Sequence, residues 1–168
     1  MTRSLLVAAA AASALGLAAC AGHTMGHHHG HAAGQPGYGG GMHRAMGAQA
    51  VMLTASLSGA QEVPPNTRPG TGTAEVRFDK DTRVLTYKVT YSGLSGPVIG
   101  AHIHGPAGPG ANAPVVVPFS PAADGSLSGT ATLNPTQAGD LLAGLYYVNL
   151  HTAAHPPGEI RGQLRLAP

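Results

Sequence analysis

The chain has 168 residues and a formal net charge of +2, and charged residues make up only 10% of it. Since no basic patch with interleaved aromatic residues is present, the sequence excludes a typical nucleic-acid-binding surface. Aromatic residues make up 4%, whereas glycine and proline occur 25 and 14 times, so the composition favours a turn-rich all-β domain with an aliphatic core. The single cysteine, Cys20, excludes a disulfide within the chain.

Residues 1–19 have the features of a secretory signal peptide: an early positive charge, a short apolar run and small residues before Cys20. The run Leu17-Ala18-Ala19-Cys20 resembles the lipobox of bacterial lipoproteins, and this resemblance implies lipidation of Cys20. Acyl chains on the cysteine would anchor the protein in a membrane of the bacterial cell envelope. By the same resemblance, Ala21 in place of an aspartate favours the outer membrane, facing the periplasm or the cell surface.

Residues 20–50, called the tail below, are rich in glycine and lack apolar periodicity, so we expect a disordered tether between the lipid anchor and a folded domain over 51–168. The tail also carries imidazole and thioether groups, which suit copper, nickel and zinc ions. A weak metal-gathering role is the second interpretation of the tail, through His23, Met25, His27, His28, His29, His31, Met42, His43 and Met46.

From Val51 onwards, apolar and polar residues alternate with the period of two that is typical of half-buried strands. We expect a first strand from Val51 to Ser58, followed by a hairpin with a turn at 79–82. Pro118 places a short strand at a sheet edge. The remaining predicted strands of this part of the chain are 73–78, 85–91, 115–119 and 126–133.

Asn134, Pro135 and Gln137 combine an N-cap, an early proline and a capping-box residue, so a short helix is expected to start here and to end near Gly144. The last strand is expected to turn inward its aliphatic residues, Ile160, Leu164 and Leu166. Seven or eight short strands with one short helix indicate an antiparallel Greek-key β-sandwich or barrel, immunoglobulin-like or superoxide-dismutase-like.

One stretch of the domain carries two histidines, His102 and His104, separated by a single residue. They alternate with apolar residues that are expected to face the core, namely Ile99, Ala101 and Ile103. In a second stretch, His151 shares its face with Tyr147 and Asn149, opposite Tyr146, Val148 and Leu150.

If these two strands are neighbours, His102, His104 and His151 face the same way on the outside of the sheet. Three neutral imidazoles with an open fourth position suit Zn²⁺ or Cu²⁺. The alternative is a structural role, in which each ring only hydrogen-bonds a neighbouring carbonyl or amide. The sequence therefore makes these histidines the candidate metal ligands, with copper or zinc as the candidate cofactor.

Four other polar residues are accessory candidates. His155 lies in a predicted proline-rich loop over 152–158 and is expected to be exposed. Glu159 and Arg161 alternate outward on the last strand, where a solvated ion pair of little energetic value is the simpler interpretation. Glu62, in a loop bounded by prolines, is an alternative partner for Arg161. No Ser-His-Asp set, nucleophilic cysteine or phosphate-binding loop is present, so hydrolase chemistry has no support and no catalytic residue is assigned.

The domain is similar to the CHRD domain, a module named for its repeats in chordin and also found in secreted bacterial proteins. The similarity covers about 53–166 and implies an extracellular module without an assigned enzyme activity. It rests on the stretches Leu57-Ser58-Gly59-Ala60-Gln61-Glu62-Val63-Pro64-Pro65, Gly72-Thr73-Ala74, Ala101-His102-Ile103-His104-Gly105-Pro106-Ala107, Gly144-Leu145-Tyr146-Tyr147-Val148-Asn149-Leu150-His151-Thr152 and Pro157-Gly158-Glu159-Ile160-Arg161-Gly162-Gln163-Leu164.

Three functional hypotheses follow. The first is a lipid-anchored cell-envelope binding module that holds copper or zinc through the three histidines. The second is a module that binds an envelope protein or a glycan, in which the histidines only shape the fold. The third is a redox enzyme resembling copper-only superoxide dismutase, since that family also carries His-x-His on a barrel strand. Residues 51–168 contain four histidines, too few for the coupled copper–zinc form of that site.

Overall fold

The computed structural model describes residues 49–120 and 125–168, and this part of the chain forms nine β-strands and one α-helix. The helix, α1, spans Pro135–Leu142. None of the described helices is long and apolar enough to cross a membrane. The strands are β1 Ala50–Ser58, β2 Thr71–Asp79, β3 Val84–Ser92, β4 Val98–His104, β5 Val115–Pro118, β6 Ser126–Thr132, β7 Tyr147–Thr152, β8 His155–Gln163 and β9 Arg165–Leu166.

The strands pair antiparallel in the order β5-β4-β7-β8-β1-β2-β3-β6, and β9 adds to β1. The sheet curls into a nearly closed barrel whose edges are β5 and β6. Phe119, which directly follows β5, stacks on Tyr87 of β3 with ring centroids 4.0 Å apart. An aromatic contact therefore helps to join the two ends of the sheet. The predicted antiparallel all-β fold with one short helix is confirmed.

The predicted hairpin contributes much of the core. β3 pairs with β2 along nearly its whole length. Asp79 holds the turn, because its Oδ1 accepts hydrogen bonds from the amides of Asp81 and Thr82. Burying a large aliphatic or aromatic side chain contributes about 1.5–3 kcal/mol, and the alternate residues of β2 are almost fully buried, namely Ala74, Val76 and Phe78.

The predicted helix is confirmed, together with its cap. Asn134 accepts a hydrogen bond from the amide of Gln137 at 2.9 Å, and the Gln137 side chain accepts one from the amide of Asn134 at 2.9 Å. This reciprocal pair satisfies two amides that a helix start leaves free. Leu141 is fully buried, and Gly144, with φ of 73°, reverses the chain after the helix.

Two aliphatic side chains that are expected to be buried are exposed. The pairing of β4 with β7 is irregular between Val98 and Gly100, and Ile99 points outward with 59% of it exposed. Near the C-terminus the chain leaves the sheet for one residue at Leu164, and Leu166 beyond it is 53% exposed. The prediction that Ile99 faces inward is therefore wrong, because the irregularity reverses its side chain. Leu166 keeps the register of its strand and lies opposite the buried Leu53, so it is on the predicted side of the sheet but is not buried.

The predicted loop over 152–158 is also wrong. Strand β8 begins at His155, and a tight turn at Ala153–Ala154 links it to β7. β8 pairs with β1 only towards its C-terminal end, so its first residues have a single neighbouring strand. Pro156 and Pro157 are tolerated in a strand here because an edge position does not need every amide as a donor.

Candidate metal centre

The outer face of the neighbouring strands β4 and β7 carries three histidines. In the antiparallel pairing, Gly100 lies opposite His151, and His102 lies opposite Asn149. Ala101 and Ile103, which alternate with the β4 histidines, are buried in the barrel interior. Because successive side chains of a strand point to opposite faces, the histidines lie on the outside of the barrel.

The three rings converge. One ring nitrogen from each of His102, His104 and His151 lies within 4.8 Å of the other two. The shortest contact joins His102 Nδ1 to His151 Nε2 at 3.2 Å, and the His104 ring meets the His102 ring edge-on. Zinc–imidazole bonds are about 2.0–2.1 Å long, so small side-chain rotations would bring all three nitrogens to one ion.

Two backbone carbonyls orient two of the rings. Nδ1 of His104 lies 2.9 Å from the carbonyl oxygen of Ala113, and Nδ1 of His151 lies 2.9 Å from that of Pro156. Since a carbonyl can only accept, each Nδ1 carries the proton and each Nε2 keeps its lone pair. Nε2 of His104 is buried without a hydrogen-bond partner among the described residues. Metal-binding histidines are commonly oriented in this way by acceptors behind the ring.

Tyr147 of β7 supports the ring of His104. The two rings are parallel to within 5°, with centroids 5.1 Å apart. The Tyr147 hydroxyl accepts a hydrogen bond from the amide of Ala113 at 3.0 Å, and the Arg161 guanidinium lies 3.5 Å from the Tyr147 ring centroid. A cation–π contact of this kind contributes about 0.5–2 kcal/mol, so His104 rests on a rigid neighbour.

The three imidazoles are predominantly neutral at neutral pH. Burial lowers the pKa of His102, His104 and His151, and repulsion from the neighbouring rings adds to this effect for His102 and His104. The hydrogen bonds to Ala113 and Pro156 act in the opposite direction but do not cancel it. Neutral imidazole is the form that binds a metal ion, so protons compete weakly for this cluster.

Arg161 is buried, with only 2% of it exposed, and does not form a solvated ion pair with Glu159. Its guanidinium donates hydrogen bonds to Asn112 Oδ1 at 3.1 Å and to the carbonyl of Ala111 at 2.7 Å. Arg161 thereby ties the loop between β4 and β5 to the sheet. The predicted exposed pair is wrong because this loop covers the outer face where strand alternation alone predicts solvent.

Glu159 is also fully buried. The hydroxyls of Ser95 and Thr152 each donate a hydrogen bond to it at 2.6 Å, and the Ser95 amide donates another at 2.7 Å. Burial alone would raise the pKa of Glu159, but these hydrogen bonds outweigh it and lower the pKa. The role of Glu159 is therefore to fasten the segment before β4 to the β7–β8 hairpin.

Glu62 lies in the loop after β1 and is 6% exposed. Its Oε1 accepts a hydrogen bond from Asn149 Nδ2 at 2.6 Å. Burial raises the pKa of Glu62 to about 7, although this hydrogen bond and the charge of Arg161 act to lower it. Gly158, with φ of 145°, leaves room for the carboxylate, because a Cβ there would lie 2.7 Å from both oxygens. Arg161 therefore acts on Glu62 through its charge, whereas the side-chain hydrogen bond comes from Asn149.

His155 does not join the cluster. It lies on β8 opposite Thr152, outside the group of three converging histidines. It is partly buried, and its Nε2 has no hydrogen-bond partner among the described residues. The expectation that His155 is exposed is therefore wrong. Cys20 and the metal-ligand candidates of the tail lie outside the described residues.

The sequence interpretation missed the groups that orient the cluster. Tyr147 could have been recognised as a neighbour of the cluster, because strand alternation places it on the same face as His151. The carbonyls of Ala113 and Pro156 could not have been recognised from the sequence, since every residue type supplies a carbonyl. Only the path of the chain brings these two behind the rings.

Comparison with known proteins and protein families gives the following result. No similar curated protein and no similar solved structure was found. The CHRD domain family matches residues 53–164, which is more than half of the chain and includes all three clustered histidines, Glu62 and Arg161. The chain therefore belongs to the CHRD domain family.

Proposed function

We propose that the protein is a lipid-anchored cell-envelope module whose domain binds one copper or zinc ion through His102, His104 and His151. The observation that carries this proposal is the convergence of three ring nitrogens within 4.8 Å. The carbonyls behind His104 and His151 support it, because they leave both Nε2 atoms unprotonated and therefore able to bind an ion. A histidine that only braced the fold would not need a buried Nε2 without a partner, as His104 has among the described residues.

The donor set fits copper and zinc. Both ions favour neutral imidazole, and three protein ligands leave a fourth position open for water or another molecule. A bound copper ion would supply one-electron chemistry, and a bound zinc ion would supply Lewis acidity. The chain itself holds and orients the ion, with Tyr147 limiting the motion of the His104 ring.

The tail extends this proposal. It carries six histidines and three methionines within 20–50, a mixture that suits weak capture of copper or zinc. A tethered chain raises the effective concentration of captured ions near the domain. We propose that the tail collects ions and that the three-histidine cluster retains them.

Adding Zn²⁺ to the purified chain is expected to raise its melting temperature. An ion present at 100 times its dissociation constant stabilises the folded state by about 2.7 kcal/mol, which corresponds to roughly 10 °C for a domain of this size. Ions held by the tail contribute little, because the tail binds them whether or not the domain is folded. Scanning calorimetry with and without Zn²⁺ measures the shift.

The control for that measurement is a variant in which His102, His104 and His151 are all alanine and the tail is intact. It should melt at the same temperature with and without Zn²⁺. An equal rise in this variant and in the unmodified chain would contradict the proposed site.

Anchoring gives a separate prediction. Replacing Cys20 with serine removes the thiol that would be lipidated, so the Cys20→Ser variant is expected to move from the membrane fraction to the soluble fraction. Fractionation of expressing bacteria followed by immunodetection measures this change. A variant that stays in the membrane fraction unchanged would refute the lipoprotein hypothesis.

A further inference from the structure

A second candidate site lies in a cavity of about 360 Å³ between the loop after β1 and the loop after β4. This volume falls within the range of about 300–1,000 Å³ that is typical of small-molecule pockets. The apolar side chains that line the cavity are Ala60, Val63, Pro65 and Pro109. Its polar side chains are Gln61, Glu62, Arg161 and Gln163, and none of the clustered histidines lines it.

Two oppositely charged residues of this cavity are more than nine-tenths buried: Glu62 is 6% exposed and Arg161 is 2% exposed. Three of the five N–H donors of Arg161 are used, because its terminal nitrogens donate to Asn112 and to the carbonyls of Ala111 and Gly108. Arg161 thus contributes its charge to the cavity and keeps two N–H donors, one on Nη1 and one on Nε, without a hydrogen-bond partner among the described residues.

Hydrogen-bond acceptor capacity also remains in this part of the structure. Gln163 uses both hydrogens of its amide nitrogen on the carbonyls of Ala107 and Gly144, and its Oε1 has no partner among the described residues. The Glu62 carboxylate accepts a side-chain hydrogen bond from Asn149 at Oε1 and is also stabilised by the backbone amide of Val63, and these two donors leave part of its acceptor capacity for a further donor. A buried carboxylate without enough donors is costly, so the matching ligand brings an N–H group and an apolar chain.

We infer that this cavity binds an alkylammonium group, with the ammonium on the Glu62 carboxylate and the alkyl chain against the apolar wall. The group belongs either to a free alkylamine or to a lysine side chain of a protein partner. This inference goes beyond the proposed metal function, because it uses none of the clustered histidines.

The ionisation of Glu62 makes the inference testable. Burial raises the pKa of Glu62 to about 7. Two other titratable groups lie near this carboxylate: Arg161, which lines the same cavity, and His155, which lines a smaller cavity together with Glu62. An alkylammonium keeps its charge from pH 6 to pH 8, so its affinity should follow the ionised fraction of Glu62 and rise about tenfold over this range.

The experiment is an NMR titration of the metal-free full chain with n-butylammonium chloride at pH 6 and pH 8, followed through the amides of Gln61, Val63 and Gly110. Butyrate and butan-1-ol are the matched probes of the same chain length. Tighter binding of n-butylammonium than of either probe, with the tenfold rise, supports the inference. The variant Glu62→Gln preserves the shape of the side chain, and it should bind at least roughly tenfold more weakly at pH 8 and show no rise with pH.

Three results would overturn the inference: tighter binding of butyrate, an affinity that does not rise with pH, or unchanged binding by Glu62→Gln. A parallel titration with Nα-acetyl-lysine methylamide identifies the source of the ammonium. If Nα-acetyl-lysine methylamide binds more tightly than n-butylammonium, the result supports a lysine on a protein partner, and if it binds more weakly, the result supports a free amine. If neither ligand binds, the inference is wrong. Because no metal is added, loss of this site leaves the metal proposal unaffected.

Discussion

Replacing His104 with alanine is expected to lower the affinity of the domain for Zn²⁺ or Cu²⁺ by about 100-fold or more, since loss of only an outer partner of a ligand already costs about 10- to 100-fold. The change leaves two of three imidazoles and removes the one whose Nε2 is buried without a partner among the described residues. Competition with a chromophoric chelator measures this affinity. The tail is the same in both proteins, so a difference in affinity between them comes from the domain.

Two controls make the His104→Ala result interpretable. The variant also loses the hydrogen bond to Ala113 and the contact with Tyr147, so urea unfolding should show a loss of about 1–3 kcal/mol with the fold retained. His155→Ala removes a histidine of the adjacent strand that lies outside the cluster, and it should leave the affinity unchanged. If His155→Ala weakens binding as much as His104→Ala, the ligand set is wrong.

Replacing Glu62 with glutamine is expected to favour folding more at pH 8 than at pH 4. The change that it causes in the free energy of unfolding should differ by up to about 3 kcal/mol between these two pH values. The folded-state pKa of Glu62, about 7, lies above the ordinary value of 4.5. The carboxyl therefore contributes stability that is fully present below about pH 4.5 and is lost as the pH rises through 7. Glutamine cannot ionise, and its oxygen can still accept the hydrogen bond from Asn149.

Urea unfolding of both proteins at pH 4, 6 and 8 measures this difference. All other titrating groups are the same in the two proteins, so their contributions to the pH dependence of stability cancel. Glu75→Gln, which removes a carboxylate from the exposed face of β2, is the matched control and should change stability by less than about 0.5 kcal/mol at each pH. A stability difference between Glu62→Gln and the unmodified chain that is the same at all three pH values would contradict the assignment.

Local sequence rules were enough to place the histidines and the helix. Alternation with Ala101 and Ile103 puts His102 and His104 on one outer face, because a strand has a period of exactly two residues. The capping box at Asn134 is equally local, since both of its hydrogen bonds join residues three apart. These features depend on neighbours along the chain, which the sequence displays directly.

The environment of Glu159 and Arg161 could not be predicted in the same way. Alternation correctly places Arg161 on the outer face of the sheet. That face, however, is covered by the loop that carries Ala111 and Asn112. Loop paths of this kind depend on contacts between residues about 50 positions apart, for which alternation holds no information. The raised pKa of Glu62 has the same origin, because it follows from burial by distant segments.

The most direct test of the metal proposal is a long-range ¹H–¹⁵N NMR spectrum of the histidine rings, recorded before and after one equivalent of Zn²⁺. Before addition, His104 and His151 should show the tautomer protonated at Nδ1, as their carbonyl partners require. After addition, one ring nitrogen each of His102, His104 and His151 should shift together, while the ring of His155 stays unchanged. Shifts confined to histidines of the tail, with the three domain rings unmoved, would contradict the proposed site.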